Sequence, residues 1–324
     1  MARGTGLAAA VLVAAFLVGP ARAQDSAPAP RPAEHLPLVT ESLLLDLAMV
    51  DDLVIAVGER GHIVRRSADG AVTQAEVPVR ALLTALSALA DGTLVAVGHD
   101  SVVLRSEDAG ASWQLVHRDV DFDAPLLDVR FVDNTRGFAV GAYGQLLRSV
   151  DGGRTWQRDS LHVDEPHVYH LEVLDDGRLL AVGEFGALLL SNDGGASFTW
   201  LDGPYDGTFF TSARSIDGTL CIAGLRGHLF CAADVGGPWR AIDLGTQASI
   251  LRLVPLETGM LLALGRDGLL ARFDPRTGEA VPLVYARRDV LTDARALPGG
   301  GWLLASEHGL QHVALEAQPE TPGG

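Results

Sequence analysis

Short apolar runs recur along this chain at a nearly constant spacing. Seven of them end in a small turn residue, as in Ala96-Val97-Gly98, and the run ends are 40 to 43 residues apart. A period of this length is typical of one supersecondary unit copied in series. The residues that end the seven runs are Gly58, Gly98, Gly141, Gly183, Gly224, Gly265 and Ser306.

Each unit is predicted to contain four strands, as the third copy illustrates. Its strand-like runs cover 126–132, 137–140, 145–149 and 155–160, and turns rich in Gly, Asp and Asn separate them. Short runs with such turns indicate an antiparallel meander. The second run is apolar on both faces, so both faces must be covered. Neighbouring blades supply that cover in a β-propeller, so we predict an all-β, seven-bladed β-propeller of four-stranded antiparallel blades.

The seventh unit lacks a fourth strand-like run. Its third run covers 310–315, and the polar residues 317–324 that follow are predicted to be a disordered tail. Residues 35–39 (His-Leu-Pro-Leu-Val) offer a spare strand upstream of the first unit. We predict that this N-terminal strand becomes the outer strand of the seventh blade and closes the ring, which removes two exposed edges. The propeller would then span 35–316.

The N-terminus has the features of a secretory signal. Arg3 precedes an apolar stretch over 7–18, and Ala21-Arg22-Ala23 resembles a cleavage site. The stretch is shorter than the roughly 20 residues that span a bilayer. We predict a signal peptide over 1–23, a disordered Ala/Pro-rich leader over 24–34, and a periplasmic or extracellular protein that is soluble after cleavage. An uncleaved anchor is the alternative, and no cysteine follows the site as in a lipoprotein.

The net charge indicates which classes of ligand are unfavourable, and the two cysteines bear on the cellular compartment. All 25 basic residues are arginines, and the 41 acidic residues bring the net charge to −16. Such a charge argues against nucleic acid or anionic lipid as the main ligand. Cys221 and Cys231 flank a tight turn and would lie opposite each other on adjacent strands. An oxidising compartment permits a disulfide between them, and two buried thiols are the alternative.

A turn motif recurs between the third and fourth runs of several units. It reads Ser-x-Asp-x-Gly-x-Ser/Thr followed by Trp or Phe, and it resembles the Asp-box of bacterial-neuraminidase (BNR) repeats. The Asp accepts backbone N–H bonds, the Gly supplies a positive φ, and the aromatic ring anchors the turn, so we interpret the motif as structural rather than catalytic. Its key residues are Asp108, Gly110, Trp113, Asp151, Gly153, Trp156, Asp193, Gly195 and Phe198.

Asp-boxes preceded by Ala-Val-Gly-x-x-Gly resemble the photosystem II assembly and stability factor family. The resemblance covers about residues 40–315 and is strongest over units two to four. It implies a non-enzymatic scaffold that docks on a partner protein, often at a membrane. We also predict that the protein is a monomer and uses no cofactor. The resemblance also implies a partner contact through an arginine patch. The candidates in or beside the inner strands are Arg130, Arg214, Arg252 and Arg295.

Turn tips between the second and third runs form a second candidate surface. All seven would project from one face of the disc, and they include Tyr143 and Phe185. Loops held by a rigid scaffold are where binding usually resides. The alternative is that these exposed turn tips have no binding role.

Two other chemistries were weighed against protein binding. His162, His167 and His170 lie close in sequence, but residues three apart in an extended segment point to opposite faces, so we predict no metal site. The sialidase motif Arg-Ile-Pro is absent. A carbohydrate-active propeller enzyme that uses two carboxylates remains the alternative function, because such a pair is recognised by geometry.

Overall fold

Seven β-sheets surround one axis in the computed structural model, which describes residues 29–122, 124–161, 163 and 165–315. Each inner strand contacts the inner strand of the next blade, and the seventh contacts the first. The predicted all-β, seven-bladed propeller is therefore confirmed. The described residues contain no α-helix, and accordingly no helix long and apolar enough to cross a membrane.

Strands within each blade follow chain order from the axis outward, and all pairs are antiparallel. The inner strands are Leu44–Val50, Leu83–Ala88, Leu126–Phe131, Val168–Val173, Phe209–Arg214, Ile250–Pro255 and Leu291–Ala296. The second strands are Leu53–Gly58, Leu94–Gly98, Gly137–Gly141, Leu179–Gly183, Leu220–Gly224, Leu261–Gly265 and Trp302–Ser306. The third strands are Ile63–Arg66, Val103–Ser106, Gln145–Ser149, Leu188–Ser191, Leu229–Ala232, Leu270–Phe273 and Gly309–Val313. The outer strands are Val72–Gln74, Gln114–His117, Gln157–Ser160, Thr199–Trp200, Arg240–Ala241 and Ala280–Pro282. Short 3-10 turns occupy Val39–Glu41, Glu59–Gly61, Ala142–Gly144, Leu225–Gly227 and Arg266–Gly268.

The second strands lie between neighbouring blades, which explains their apolar composition. Every residue of Gly137–Gly141 is buried, and the same holds for the second strands of blades two, four, five and six. Their side chains alternate between the clusters on either side of the blade. Ala139 packs against blade two, for example, and Val140 packs against blade four. The core is thus a series of inter-blade layers rather than one central cluster.

The two faces of the disc carry different turns. The face with the turns between second and third strands and the connections between blades is called the tip face. The face with the Asp-boxes is called the box face. On the tip face the residue after each run-ending Gly or Ser donates its N–H to the residue before the inner strand, as Glu59 does to Leu43 at 3.0 Å. A Cβ on Gly58 would lie 2.0 Å from the Leu43 carbonyl oxygen, so this close approach explains the periodic glycine.

Each Asp-box seals the gap between its own blade and the preceding one. In blade three, Asp151 accepts bonds from the Thr155 N–H at 2.9 Å and the Thr155 hydroxyl at 2.6 Å. Trp156 donates its indole N–H to Gly153 at 3.1 Å and packs against blade two. Although partial burial opposes the effect, the hydrogen bonds from Thr155 and Ser149 lower the pKa of Asp151. The aspartate is thus occupied in holding the turn.

Arginines near the ends of third strands bind the Asp-box of the next blade. Arg105 in blade two donates its Nε–H to the Gly152 carbonyl of blade three at 2.8 Å. Arg65 in blade one and Arg148 in blade three make the same kind of contact, with Ala109 at 3.1 Å and Ala196 at 3.2 Å. Boxes and arginines therefore lock blades one to four together on the box face.

The predicted closing strand does not form. Residues 35–38 have no regular strand structure, Val39–Glu41 is a 3-10 turn, and the described part of the seventh blade has three strands. Pro37 lacks an N–H and so cannot donate to a sheet ladder, which disfavours a strand here. The segment instead packs Leu36 and Val39 into the apolar cluster between blades one and seven.

The leader differs from its prediction in the part that the structure describes. Ala33, predicted to be disordered, donates its N–H to Val77 at 3.0 Å, and the Glu34 carbonyl accepts a bond from the Gln74 amide at 2.8 Å. These contacts attach 33–34 to the outer part of blade one. The predicted signal peptide and the tail over 317–324 lie outside the described residues.

Polar side chains of the inner strands join blade seven to blade one. Asp293 accepts the Leu47 N–H at 3.0 Å, and the Thr292 hydroxyl donates to the Leu44 carbonyl at 2.7 Å. Arg252 of blade six bridges the junction, at 2.7 Å from Asp46 and 3.0 Å from Asp293. The ring is therefore closed by buried charge pairs and backbone clamps in place of a shared sheet.

The pKa values of the two carboxyl groups of this junction are shifted in opposite directions. Burial raises the pKa of Asp46 to about 6, although Arg252 acts against the shift. Burial also disfavours the charge on Asp293, but Arg252 and Arg295 lower the pKa of Asp293 below its usual range. We take the ionised Asp293 as the principal partner of Arg252, because it has two arginines nearby.

A disulfide joins the second and third strands of blade five. Cys221 and Cys231 are directly paired across these strands, and their sulfur atoms are bonded. The bridge lies inside one blade, and both cysteines belong to the apolar cluster between blades five and six.

We expect Arg105→Met to lower the free energy of unfolding by about 1–3 kcal/mol, because it leaves the Gly152 carbonyl without its buried donor. Urea denaturation measures the change. Arg266→Met is the control, since Arg266 is exposed and has no ion pair among the described residues. Equal losses of unfolding free energy in the two variants would contradict a stabilising role for the bond between Arg105 and Gly152.

We expect Asp46→Asn to reduce the loss of stability between pH 4.5 and 7.5. A raised pKa means that the folded protein binds the Asp46 proton more tightly than the unfolded chain. Its contribution is therefore present below the unfolded pKa and is lost as the pH rises through about 6. Asparagine keeps an acceptor for the Leu86 N–H, which Asp46 accepts at 2.8 Å. Wild type should lose about 2 kcal/mol more than the variant over this range, measured by denaturation at each pH. Parallel pH profiles would exclude a raised pKa at Asp46.

Candidate protein-binding site on the tip face

The axial channel opens on the tip face through a collar of partly exposed side chains. In every blade the pairing between inner and second strands skips the second residue of the inner strand, as between Val168 and His170. A β-bulge of this kind re-aims a side chain. The skipped residues line a cavity of about 230 Å³ at the mouth. They are Leu45, Thr84, Leu127, Tyr169, Phe210, Leu251 and Thr292.

Charged groups form the floor below this collar, and they are paired. Asp128 lies 3.1 Å from the Nδ1 of His170, whose Nε2 lies 3.3 Å from Glu172. Arg130 lies 3.3 Å from Asp128, and Asp128 also accepts the Leu171 N–H at 2.8 Å. Burial acts against ionisation of both groups, but Asp128 raises the pKa of His170, while Arg130 and His170 lower the pKa of Asp128. A buried and compensated set of this kind supports the structure and offers no free acid, base or nucleophile.

Aromatic side chains extend from the turn tips of blades three and four to the mouth. Phe185 is 76% exposed and Tyr143 is 57% exposed at their tips. Tyr143 packs edge-on against His167, with ring centroids 4.7 Å apart. Tyr169 packs edge-on against Phe210 at 5.2 Å on the mouth itself. These five residues form what we call the aromatic arc.

Both exposed residues of the arc have a left-handed backbone. The φ angle is 55° at Tyr143 and 55° at Phe185. A positive φ is uncommon for bulky residues and is relieved by glycine. The tips therefore hold large aromatic side chains in solvent at positions where the backbone alone would favour glycine.

Three of the four candidate arginines, Arg130, Arg252 and Arg295, act on the Asp46 carboxyl in the channel, and Arg214 lies apart from them. Arg252, the third residue of its inner strand, pairs with Asp46 at the ring closure. Arg130 and Arg295 are the fifth residues of their inner strands, and they pair with Asp128 and Asp293. The remaining candidate, Arg214, lies at the box-face end of its strand and pairs with Asp175 and the Gly218 carbonyl. Their guanidinium groups are occupied within the propeller.

The histidines weighed for a metal site are separated. His167 contacts Tyr143 and the Glu184 carboxylate, whereas His170 points into the floor. His162 lies outside the described residues. A different trio within the described chain, Asp289, Glu307 and His308, brings ligand atoms within 4.8 Å of one another. Asp289 already accepts bonds from Tyr285 and Gln311 and pairs with Arg287, so we assign no metal to it.

Sequence reasoning missed the collar, and it named Arg130, His170, Arg252 and Arg295 without the buried carboxylates that pair with them. The second and third residues of the inner strands differ from unit to unit, so no motif marks them. The third residues are Asp46, Ala85, Asp128, His170, Thr211, Arg252 and Asp293. The one sequence signal for these positions is a polar residue, such as Asp46 or Asp128, inside a short apolar run.

The chain matches a family model described as photosynthesis system II assembly factor YCF48 over residues 112–204. Among curated proteins it is similar to the photosystem II assembly lipoprotein Ycf48 of Prochlorococcus marinus strain NATL2A. That match is 36% identical over 81 residues, which is 25% of this chain and 23% of the relative. The protein of the same name from strain MIT 9312 is 38% identical over 52 residues, or 16% of this chain and 15% of the relative. The matches thus span less than a quarter of these relatives.

Solved structures match over nearly the whole propeller. The structure titled YCF48 bound to D1 peptide has a TM-score of 0.70 at 15% identity and covers 89% of this chain and 100% of its own. YCF48 from Cyanidioschyzon merolae has a TM-score of 0.69 at 14% identity, with coverages of 89% and 99%. A streptogramin B lyase reaches 0.74 at 12% identity and covers 86% and 95%. At these identities the structures establish the fold alone. The predicted resemblance is nevertheless confirmed by the family model and the curated relatives: the chain is a seven-bladed propeller similar to the photosystem II assembly factors, most clearly over blades three and four.

Proposed function

We propose that this protein is a non-enzymatic scaffold that binds a segment of a partner protein across the tip face. The aromatic arc carries the proposal. It leads from two exposed rings held in strained backbone to an apolar collar around a 230 Å³ cavity. Exposed aromatic residues on a rigid frame are typical of protein interfaces, where they supply most of the binding energy. An apolar side chain of the partner would enter the collar while its flanking backbone crosses Tyr143 and Phe185.

The relatives suggest what such binding would serve. Those proteins are named as photosystem II assembly factors, and one solved neighbour is bound to a D1 peptide. We extend to this chain the general role, which is to assist assembly or stability of a membrane complex, without assuming a photosystem. The signal-like sequence over 1–23 supports an exported protein that works as a monomer in the periplasm or outside the cell.

The carbohydrate-active enzyme is the less favoured function. Propellers with the same fold include a streptogramin B lyase, so the architecture alone permits catalysis. The acidic groups of the channel are engaged, however: Asp128 pairs with His170 and Arg130, and Asp293 pairs with Arg252 and Arg295. Asp46, whose pKa is raised, is 2% exposed, pairs with Arg252 and accepts the Leu86 N–H. A glycosidase needs one carboxyl group free to donate a proton and another free to attack or activate water.

We expect Phe185→Ser to abolish capture of the partner from an envelope extract, because the ring is the most exposed member of the aromatic arc. Val150→Ser is the matched control: Val150 is also 76% exposed but lies in an Asp-box on the opposite face. Tagged wild type and both variants are compared by quantitative mass spectrometry of the captured proteins. Wild type and Val150→Ser should recover the same partner at least tenfold above Phe185→Ser.

Equal recovery by Phe185→Ser would remove the tip face from the proposal. Absence of any partner, together with hydrolysis in a screen of glycans, would favour the enzyme instead.

A further inference from the structure

A groove on the box face opens between blades six and seven. Its cavity measures about 490 Å³. Both methionines that follow Met1 in the sequence, Met49 and Met260, line it together with Trp302. Methionine is adaptable and is favoured on apolar surfaces that accept peptides. The remaining lining residues are Val254, Pro255, Leu256, Glu257, Thr258, Arg272, Arg295 and Ala296.

The seventh blade has no Asp-box beside this groove. In blades two, three and four the aromatic residue of the box packs into the gap beside the preceding blade, as Trp113, Trp156 and Phe198 do. The sequence that follows Val313, where a box would begin, contains no such motif. The gap between blades six and seven therefore lacks the aromatic group that fills the gaps beside blades two, three and four.

Arg272 lacks the carbonyl partner that arginines at the equivalent position have in blades two and three. It lies in the third strand of blade six, at the position that Arg105 and Arg148 occupy in blades two and three. Those two arginines donate to a carbonyl of the next blade's Asp-box. Among the described residues Arg272 makes no ion pair, and its buried Nε has no hydrogen-bond partner. The other described arginines without a partner, such as Arg266, are exposed.

The groove thus combines an apolar lining with the unpaired Nε–H donor of Arg272. Among the described residues, no Asp-box ring fills this groove and no oxygen accepts the Arg272 Nε–H. These are the two groups that the Asp-boxes of blades two to four supply in their own gaps. A buried donor left without an acceptor costs free energy, so a ligand that satisfies it gains more than a surface contact would. Arg295 adds positive charge nearby, although it also pairs with Asp293.

We infer that this groove binds a peptide segment of a partner protein that carries an aromatic side chain beside an acidic or carbonyl oxygen, in the manner of an Asp-box supplied in trans. The ring enters between Met49, Met260 and Trp302, and the oxygen accepts the Arg272 Nε–H. The site is on the face opposite the aromatic arc, so it is independent of the function proposed above.

The test uses the protein's own box sequence as the probe. The peptide acetyl-Ser-Glu-Asp-Ala-Gly-Ala-Ser-Trp-amide copies residues 106–113 and is titrated to millimolar concentration. The protein carries 13C-methyl methionine, so that the signals of Met49 and Met260 report on the groove, and Met49→Leu and Met260→Leu assign them. We expect both signals to shift with wild type, and the same peptide with Trp replaced by Ala to leave them in place.

Variants then test the role of Arg272. Arg272→Met should bind the peptide about tenfold more weakly, because the charge-assisted bond is lost. Its stability should not fall below that of wild type, because the substitution removes a buried donor that has no acceptor. Arg266→Met, on the tip face of the same blade, should bind as wild type does.

Several results would overturn the inference. These are unmoved methionine signals, equal shifts from the Ala peptide, or wild-type affinity in Arg272→Met. Affinity that rises when the chain is shortened to end at Leu315 would assign the groove to the chain's own tail. Methionine shifts that grow with protein concentration alone would assign it to a second copy.

Discussion

The ring depends on hydrogen bonds in which backbone N–H groups at the free edges of inner strands donate to side chains of the preceding blade. An inner strand is paired on one side only, so its other edge leaves N–H groups facing the channel. Asp46, Asp128, Thr211 and Asp293 each accept the N–H of a leucine in the next blade, at Leu86, Leu171, Leu253 and Leu47. Each bond satisfies a buried donor and fixes the distance between two blades. Apolar layers fill the space between the sheets.

Ring closure follows from the same constraint. A shared strand is one way to join the last blade to the first, and Pro37 makes that solution unfavourable here. The chain instead concentrates charge at the junction, where Arg252 bridges Asp46 and Asp293. These charges are buried, so their value lies in fixing one arrangement more than in net stabilisation. The rigid frame that results can hold Tyr143 and Phe185 exposed on one face, while the missing Asp-box leaves the other face open between blades six and seven.

The sequence predicted what repeats and missed what varies. Seven apolar runs ending in glycine or serine predicted seven blades, because each blade needs the same buried second strand and the same close turn. The Asp-boxes predicted the turns of blades two to four for the same reason. The clamps use four of the seven third positions of the inner strands, and those seven positions hold five residue types, so no periodic signal marks them. The arginine patch was inferred from the family rather than from pairing, and the structure shows that Arg130, Arg252 and Arg295 are bound to internal carboxylates instead.

Amide hydrogen exchange of the four clamped leucines tests most directly whether these bonds hold the ring. The account predicts that the N–H groups of Leu47, Leu86, Leu171 and Leu253 exchange only through global unfolding, with the same protection as the second-strand amides. Exchange of these four amides at the rate of exposed turn amides would show that the ring opens at its inner edge and would contradict the account.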